Sequence, residues 1–135
     1  MASIRREVVI DSEPHVVWDA LRDWGALHER LAAGFAVGLQ READARIVTF
    51  ASGVTLREEI LDVDNVHRRL AWSIVDGPYT HHNGAAQVFA EEDGRARFVW
   101  IADLRPDALA GPTAEAMDQG LAAIKRTLEV TPRPR

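Results

Sequence analysis

Cysteine is absent from the 135 residues, which excludes a disulfide framework and any thiolate metal site. Lysine is nearly absent: Lys125 is the one lysine among 16 basic residues, and the rest are arginine. We read that bias, together with the many alanines, as the mark of a GC-rich, bacterial genome. Tyr79 is the only tyrosine. No apolar run is long enough to span a bilayer, and the opening MASIRREVVI has too short an apolar run for a signal peptide, so a soluble cytoplasmic protein is expected, with no membrane insertion. No P-loop, glycine-rich dinucleotide fingerprint or Ser-His-Asp order appears, and no cofactor is expected. The net charge of −5 lacks the basic footprint of a nucleic-acid or acidic-membrane partner.

What is present is an ordinary globular composition, 47% hydrophobic and 27% charged, in a length that suits one domain. Ile4, Val8 and Ile10 suggest a first strand. DSEP follows, with Ser12 suited to an N-cap and Pro14 to a first turn. Val17, Leu21 and Trp24 then recur at helical spacing up to Gly25, and ALHERLAAG reads as a second short helix stopped by Gly34. Six runs rich in β-branched and aromatic residues come next: FAVGLQ, ARIVTFA, VTLREEILDV, RRLAWSIVD, AAQVFAEE and ARFVWIADL. Short links join them, so they should pair antiparallel as a meander, and the Asp-Gly of EEDGR fits a type I′ hairpin turn. After Thr113, a candidate N-cap, Met117, Leu121, Ile124 and Leu128 form the stripe of a long helix.

This order predicts an α+β protein. A seven-stranded antiparallel sheet curves around the C-terminal helix, with two short helices between strands 1 and 2. Residues 1–130 form the single domain, and 131–135, with two prolines and no apolar anchor, form a frayed tail. A sheet curved around one helix tends to leave an apolar space, and such a space is a ligand site.

Several stretches resemble the polyketide cyclase/dehydrase branch of the START-like, or SRPBCC, superfamily, to which the birch pollen allergen fold belongs. They are EVVIDSEPHVVWDALRDW, LREEILDVDNVHRRLAWSIVDGP, FVWIADLRPD and GLAAIKRTLE, in the family's order and through nearly the whole chain. The stretch LHERLAAGF lacks the tryptophan usual there. The resemblance implies a helix-grip fold with a deep hydrophobic cavity between sheet and C-terminal helix. It also implies a lipid-like, polycyclic or polyketide-like ligand, and in some members cyclisation or dehydration.

The residues supply candidates for that site. Strand alternation places Phe98, Trp100, Ala102 and Leu104 on one face, and Leu70, Trp72 and Ile74 on another inward face. Trp72 and Trp100 are either cavity walls or ordinary core aromatics. An indole wall would suit a flat ligand. Leu56, Ile74, Phe98, Met117 and Leu121 complete the expected lining. Glu58 shares its strand face with Val54, Leu56 and Ile60; such a carboxylate is either a raised-pKa acid or base, or half of a pair with an arginine such as Arg97. A one-residue slip would put Glu59 there instead.

In PYTHHNG, His81 and His82 must point to opposite faces of an extended segment, so they are poorly placed to share a metal, and no metal site is expected. Ala86, Val88 and Ala90 would lie with His82, which favours His82 as the inward ring. Three functions are compatible with this pattern. The first is a binder of a small hydrophobic ligand. The second is an enzyme of the aromatase/cyclase or dehydratase type using Glu58, His81 or His82, and Tyr79. The third, implied by the resemblance, is an interaction module of the co-chaperone or toxin–antitoxin kind found elsewhere in that superfamily. A homodimer is an assembly the sequence leaves open.

Overall fold

The computed structural model describes residues 1–129; the TPRPR tail expected to fray lies outside them. The strands are β1 (Ala2–Ile10), β2 (Ala36–Arg41), β3 (Ala45–Phe50), β4 (Thr55–Asp64), β5 (Arg69–Ile74), β6 (His81–Ala90) and β7 (Ala96–Arg105). They form one antiparallel sheet in the order β1-β7-β6-β5-β4-β3-β2. Strands β2 to β7 pair with their sequence neighbours, the expected meander, and β1 closes against β7 from Ala2↔Leu104 to Ile10↔Ala96. Helix α1 (Pro14–Arg22) and α2 (Ala110–Glu129) complete the fold.

The chain must cross from one sheet edge at β1 to the other at β2, and α1 with the turns after it makes that crossing. Val17, Trp18, Ala20 and Leu21 are its buried side. The second short helix is not regular. A 3₁₀ turn at Trp24–Ala26 runs into a π turn at Leu27–Leu31. Trp24 is buried in the 3₁₀ turn, so Gly25 bends the path without ending a helix. Glu13 stands at the N-cap of α1 without a side-chain cap bond; Ser12 is buried and does not cap.

Two further turns differ from expectation. At EEDGR the Glu91 amide bonds Arg95 O and the Gly94 amide bonds Glu91 O, with positive φ at Gly94 alone. A type I′ turn needs positive φ at both central residues, so this is a type I turn with a glycine bulge. In β4 a bulge after Ile60 pairs Ile60 with Trp72 but Asp62 with Ala71. Leu61 is thereby expelled to solvent, while Ile60 and Val63 both pack against the core.

Helix α2 buries Thr113, Met117, Gly120, Leu121, Ala123, Ile124 and Leu128, the predicted stripe widened by Thr113, Gly120 and Ala123. It begins at Ala110, so Thr113 lies inside its first turn and is not the cap. Polar contacts bind it along β1: Arg6 Nε to Asp118 at 3.1 Å, Lys125 Nζ to Val9 O at 2.9 Å, and the Asp11 amide to Glu129 at 2.9 Å.

Glycine seats both inner indoles. A Cβ at Gly84 would stand 2.6 Å from Trp72 Cε2, and one at Gly120 would stand 2.8 Å from Trp100 Cζ3. Leu121 packs inside the main core with Trp18, Leu70 and Phe98. Leu121→Ala should therefore destabilise the protein by about 2–5 kcal/mol, read from urea denaturation. A loss under about 1 kcal/mol would mean that α2 does not grip the sheet.

Candidate functional site

Between the sheet and α2 lies a cavity of about 500 Å³. Its walls come from every layer of the fold: Leu56 on β4, Trp72 and Ile74 on β5, Phe98 and Trp100 on β7, Met117 on α2. These were expected from strand and helix alternation. Trp72 and Trp100 stand 6.3 Å apart, ring centre to ring centre, tilted by 57°. Leu121 is a correction. It is buried in the core but does not line the cavity, because its position on α2 turns it toward packed side chains.

The polar groups of the wall are few. Strand β6 begins at His81, four residues before the expected run, so both histidines are in the strand and alternate. His82 faces inward and is 5% exposed; His81 is half-buried on the opposite face and is absent from the cavity wall. His81 is therefore removed from the acid–base candidates by the pleat itself. His82 packs against Tyr79, with ring centres 4.8 Å apart. The Tyr79 hydroxyl shares a 2.7 Å hydrogen bond with Thr113, the buried hydroxyl in the first turn of α2. The Nδ1 of His82 and the Nε1 of Trp100 are buried without a hydrogen-bond partner among the described residues.

The second polar group is an ion pair. Glu58 is 5% exposed and Arg46, facing it from β3, is 4% exposed. Arg46 Nε donates to Glu58 at 2.7 Å, and its Nη1 donates to Trp24 O at 3.1 Å. The guanidinium also lies 5.6 Å from the Trp72 ring centre. The partner is thus Arg46, not Arg97, which pairs with Glu7 and Glu91 on the outer face. Glu59, the one-residue alternative, is exposed.

Sequence reasoning missed Arg46, and Leu31, Phe35 and Phe50 of the lining. Strand alternation in ARIVTFA carried the signal for Arg46, since Arg46, Val48 and Phe50 share a face. Phe35 lies in the stretch that lacks the family's tryptophan and supplies an aromatic there, edge-on to Phe50 at 5.3 Å.

Burial pushes the His82 imidazole down to about 4, with its own backbone and Asp103 opposing and His81 pushing the same way. The ring is therefore neutral at pH 7. Among the described residues no group of three or more His, Asp or Glu could hold a metal ion, and no helix is long and apolar enough to cross a membrane.

A curved antiparallel sheet gripping a long helix around an apolar cavity defines a helix-grip protein of the START-like superfamily. Residues 1–129 match the family described as polyketide cyclase / dehydrase and lipid transport, and the chain belongs to it. The curated proteins contain no match. Solved structures share the fold. The protein XoxI from Bacillus cereus has a TM-score of 0.82 at 19% identity, over 95% of this chain and 96% of that one. A Thermobifida fusca protein solved by NMR has a TM-score of 0.74 at 25% identity, over 100% and 99%. Norcoclaurine synthase from Thalictrum flavum has a TM-score of 0.71 at 18% identity, over 93% and 84%.

Two predictions concern the buried charges. Glu58→Leu alone strands the Arg46 guanidinium and should cost about 3–5 kcal/mol, whereas Arg46→Met with Glu58→Leu should recover most of that loss. Urea denaturation of the three proteins checks it; equal losses in single and double variants would mean the charges are solvated. For His82, the unfolded chain protonates near the ordinary 6.5 and the folded chain only near 4. The unfolded state then binds more protons between these values, so stability falls as pH drops from 6.5 through 4, by roughly 3 kcal/mol in all. His82→Phe should flatten that limb of the curve of stability against pH, measured by denaturation at half-unit steps.

Proposed function

We propose that this protein binds a small, largely apolar molecule in the cavity between the sheet and α2. The observation that carries the reading is the cavity itself: about 500 Å³, walled by Leu56, Trp72, Ile74, Phe98, Trp100 and Met117, with few polar groups. That volume lies within the roughly 300–1,000 Å³ of small-molecule sites. Two tilted indoles offer area and faces to a flat ring system. Membership of a family described by polyketide cyclisation, dehydration and lipid transport supports the same class of ligand.

A second reading, general acid–base catalysis on the bound molecule, is favoured by one specific feature. His82 is a neutral imidazole on the cavity wall, beside the Tyr79–Thr113 hydroxyl pair. A neutral ring can take a proton, and a hydroxyl pair can donate one to a developing oxyanion. Norcoclaurine synthase, of similar fold, is an enzyme by name. Glu58, held by Arg46, serves here as an electrostatic and positioning group.

The test is a tryptophan-fluorescence titration with fatty acids, sterols, flavonoids and aromatic polyketides. Saturable quenching is expected for at least one class, weakened in Trp72→Phe or Trp100→Phe. A flat response to every class would overturn the binding reading. Where a class binds, its consumption is followed by chromatography; unchanged ligand after long incubation would remove the catalytic one.

A further inference from the structure

Strand register places the ionisable groups of the sheet's inner face in a line; Arg126 of α2 and Tyr79 also reach the cavity wall, off that line. Arg46 faces Glu58, and Glu58 faces Ile74. The Ser73–Asn83 pair brings Ile74 and His82 next in register, a position marked by the Ser73 hydroxyl donating to His82 O at 2.9 Å. His82 faces Leu104. One row thus crosses the inner face: Arg46, Glu58, Ile74, His82, Leu104. The rows beside it are apolar. Val48 and Leu56 lie on one side; Ile60, Trp72, Gly84 and Ala102 lie on the other. The inner face of β3 to β7 is apolar outside Arg46, Glu58 and His82, and all three fall on this row.

The row has two polar ends with an apolar middle. At one end Arg46 has five N–H donors, of which Nε and Nη1 are used within the protein. Its Nη2 and the second oxygen of Glu58 make no further hydrogen bond among the described residues. At the other end Nδ1 of His82 is enclosed without a partner among the described residues, which leaves Nε2 as the ring nitrogen open to a ligand. The Tyr79–Thr113 pair beside it uses one hydroxyl proton and leaves the other to give. Between the ends stands Ile74. The strands carrying Glu58 and His82 are two strand spacings apart, roughly 9–10 Å. Arg46 Nη2 and the second oxygen of Glu58 are not enclosed atoms, so a ligand oxygen can reach them, and a ligand that pairs polar groups in a largely apolar space gains binding free energy.

From this the geometry points to the class of ligand: a flat, mainly apolar molecule with oxygen functions at two opposite ends. One oxygen pairs with the Arg46–Glu58 end and the other with the His82–Tyr79–Thr113 end. The ring body lies over Ile74 and against Trp72. This rests on the cavity-binding reading above and adds that the cavity reads the spacing of two polar groups. A long-chain fatty acid, polar at one end only, matches half of the row.

Four probes on one carbon skeleton test it: naphthalene, 2-naphthol, 2,3-dihydroxynaphthalene and 2,6-dihydroxynaphthalene, measured by equilibrium dialysis. The two diols have the same composition and differ in hydroxyl spacing. The 2,6-diol should bind about tenfold more tightly than the 2,3-diol, the effect of one net hydrogen bond, and 2-naphthol should fall between naphthalene and the 2,6-diol. The advantage of the 2,6-diol should shrink to about twofold or less in His82→Phe and in the Arg46→Met with Glu58→Leu pair, with circular dichroism verifying that each is folded. Equal affinity for the two diols would overturn the two-ended inference and leave the cavity reading standing. Absence of binding by all four would overturn the cavity reading and the inference with it.

Discussion

A single helix is too narrow to cover a seven-stranded sheet, and that mismatch of widths creates the cavity. The sheet spans about 30 Å across its strands, whereas a helix with its side chains is about 10–12 Å wide. Helix α2 is held along β1 by Arg6–Asp118, Lys125–Val9 and Asp11–Glu129. The inner faces of β3 to β6 are left for α1, for the irregular turns at Trp24–Leu31 and for empty space. The 3₁₀ and π turns suit that task, since a regular second helix would need its own continuous stripe.

The polar content of the cavity then follows from what can be buried without a full core around it. Arg46 and Glu58 satisfy one another and borrow the carbonyl of Trp24. His82 is carried as the neutral ring. Both arrangements keep uncompensated charge out of a low-dielectric space. They also leave hydrogen-bonding capacity facing inward, which a wholly apolar wall would not.

Much of this was legible in the chain. The period of two in LAWSI and RFVWIADL placed Trp72, Phe98 and Trp100 inward, and the stripe from Met117 to Leu128 placed α2. Glu58 was legible as a buried carboxylate, but its partner was not, because partnership depends on register. The short Ser52–Gly53 link sets Arg46 opposite Glu58, while Arg97 is three strands away from Glu58 on the other face. The histidines were half legible: alternation required that only one enter, and the start of β6 at His81 decided which. Leu121 shows the limit of a stripe. It marks the buried side of a helix without separating the part that touches packed atoms from the part that touches a void.

Gly84 has a role in the cavity that its own position hides. It does not line the space, yet the Trp72 indole rests directly on its backbone. The wall is thus as thick as one aromatic ring on bare main chain. Any side chain added at position 84 would lift the indole into the space it now borders. Cavity capacity can therefore be changed from a residue that no ligand touches, and two relatives with identical lining residues could still accept molecules of different size.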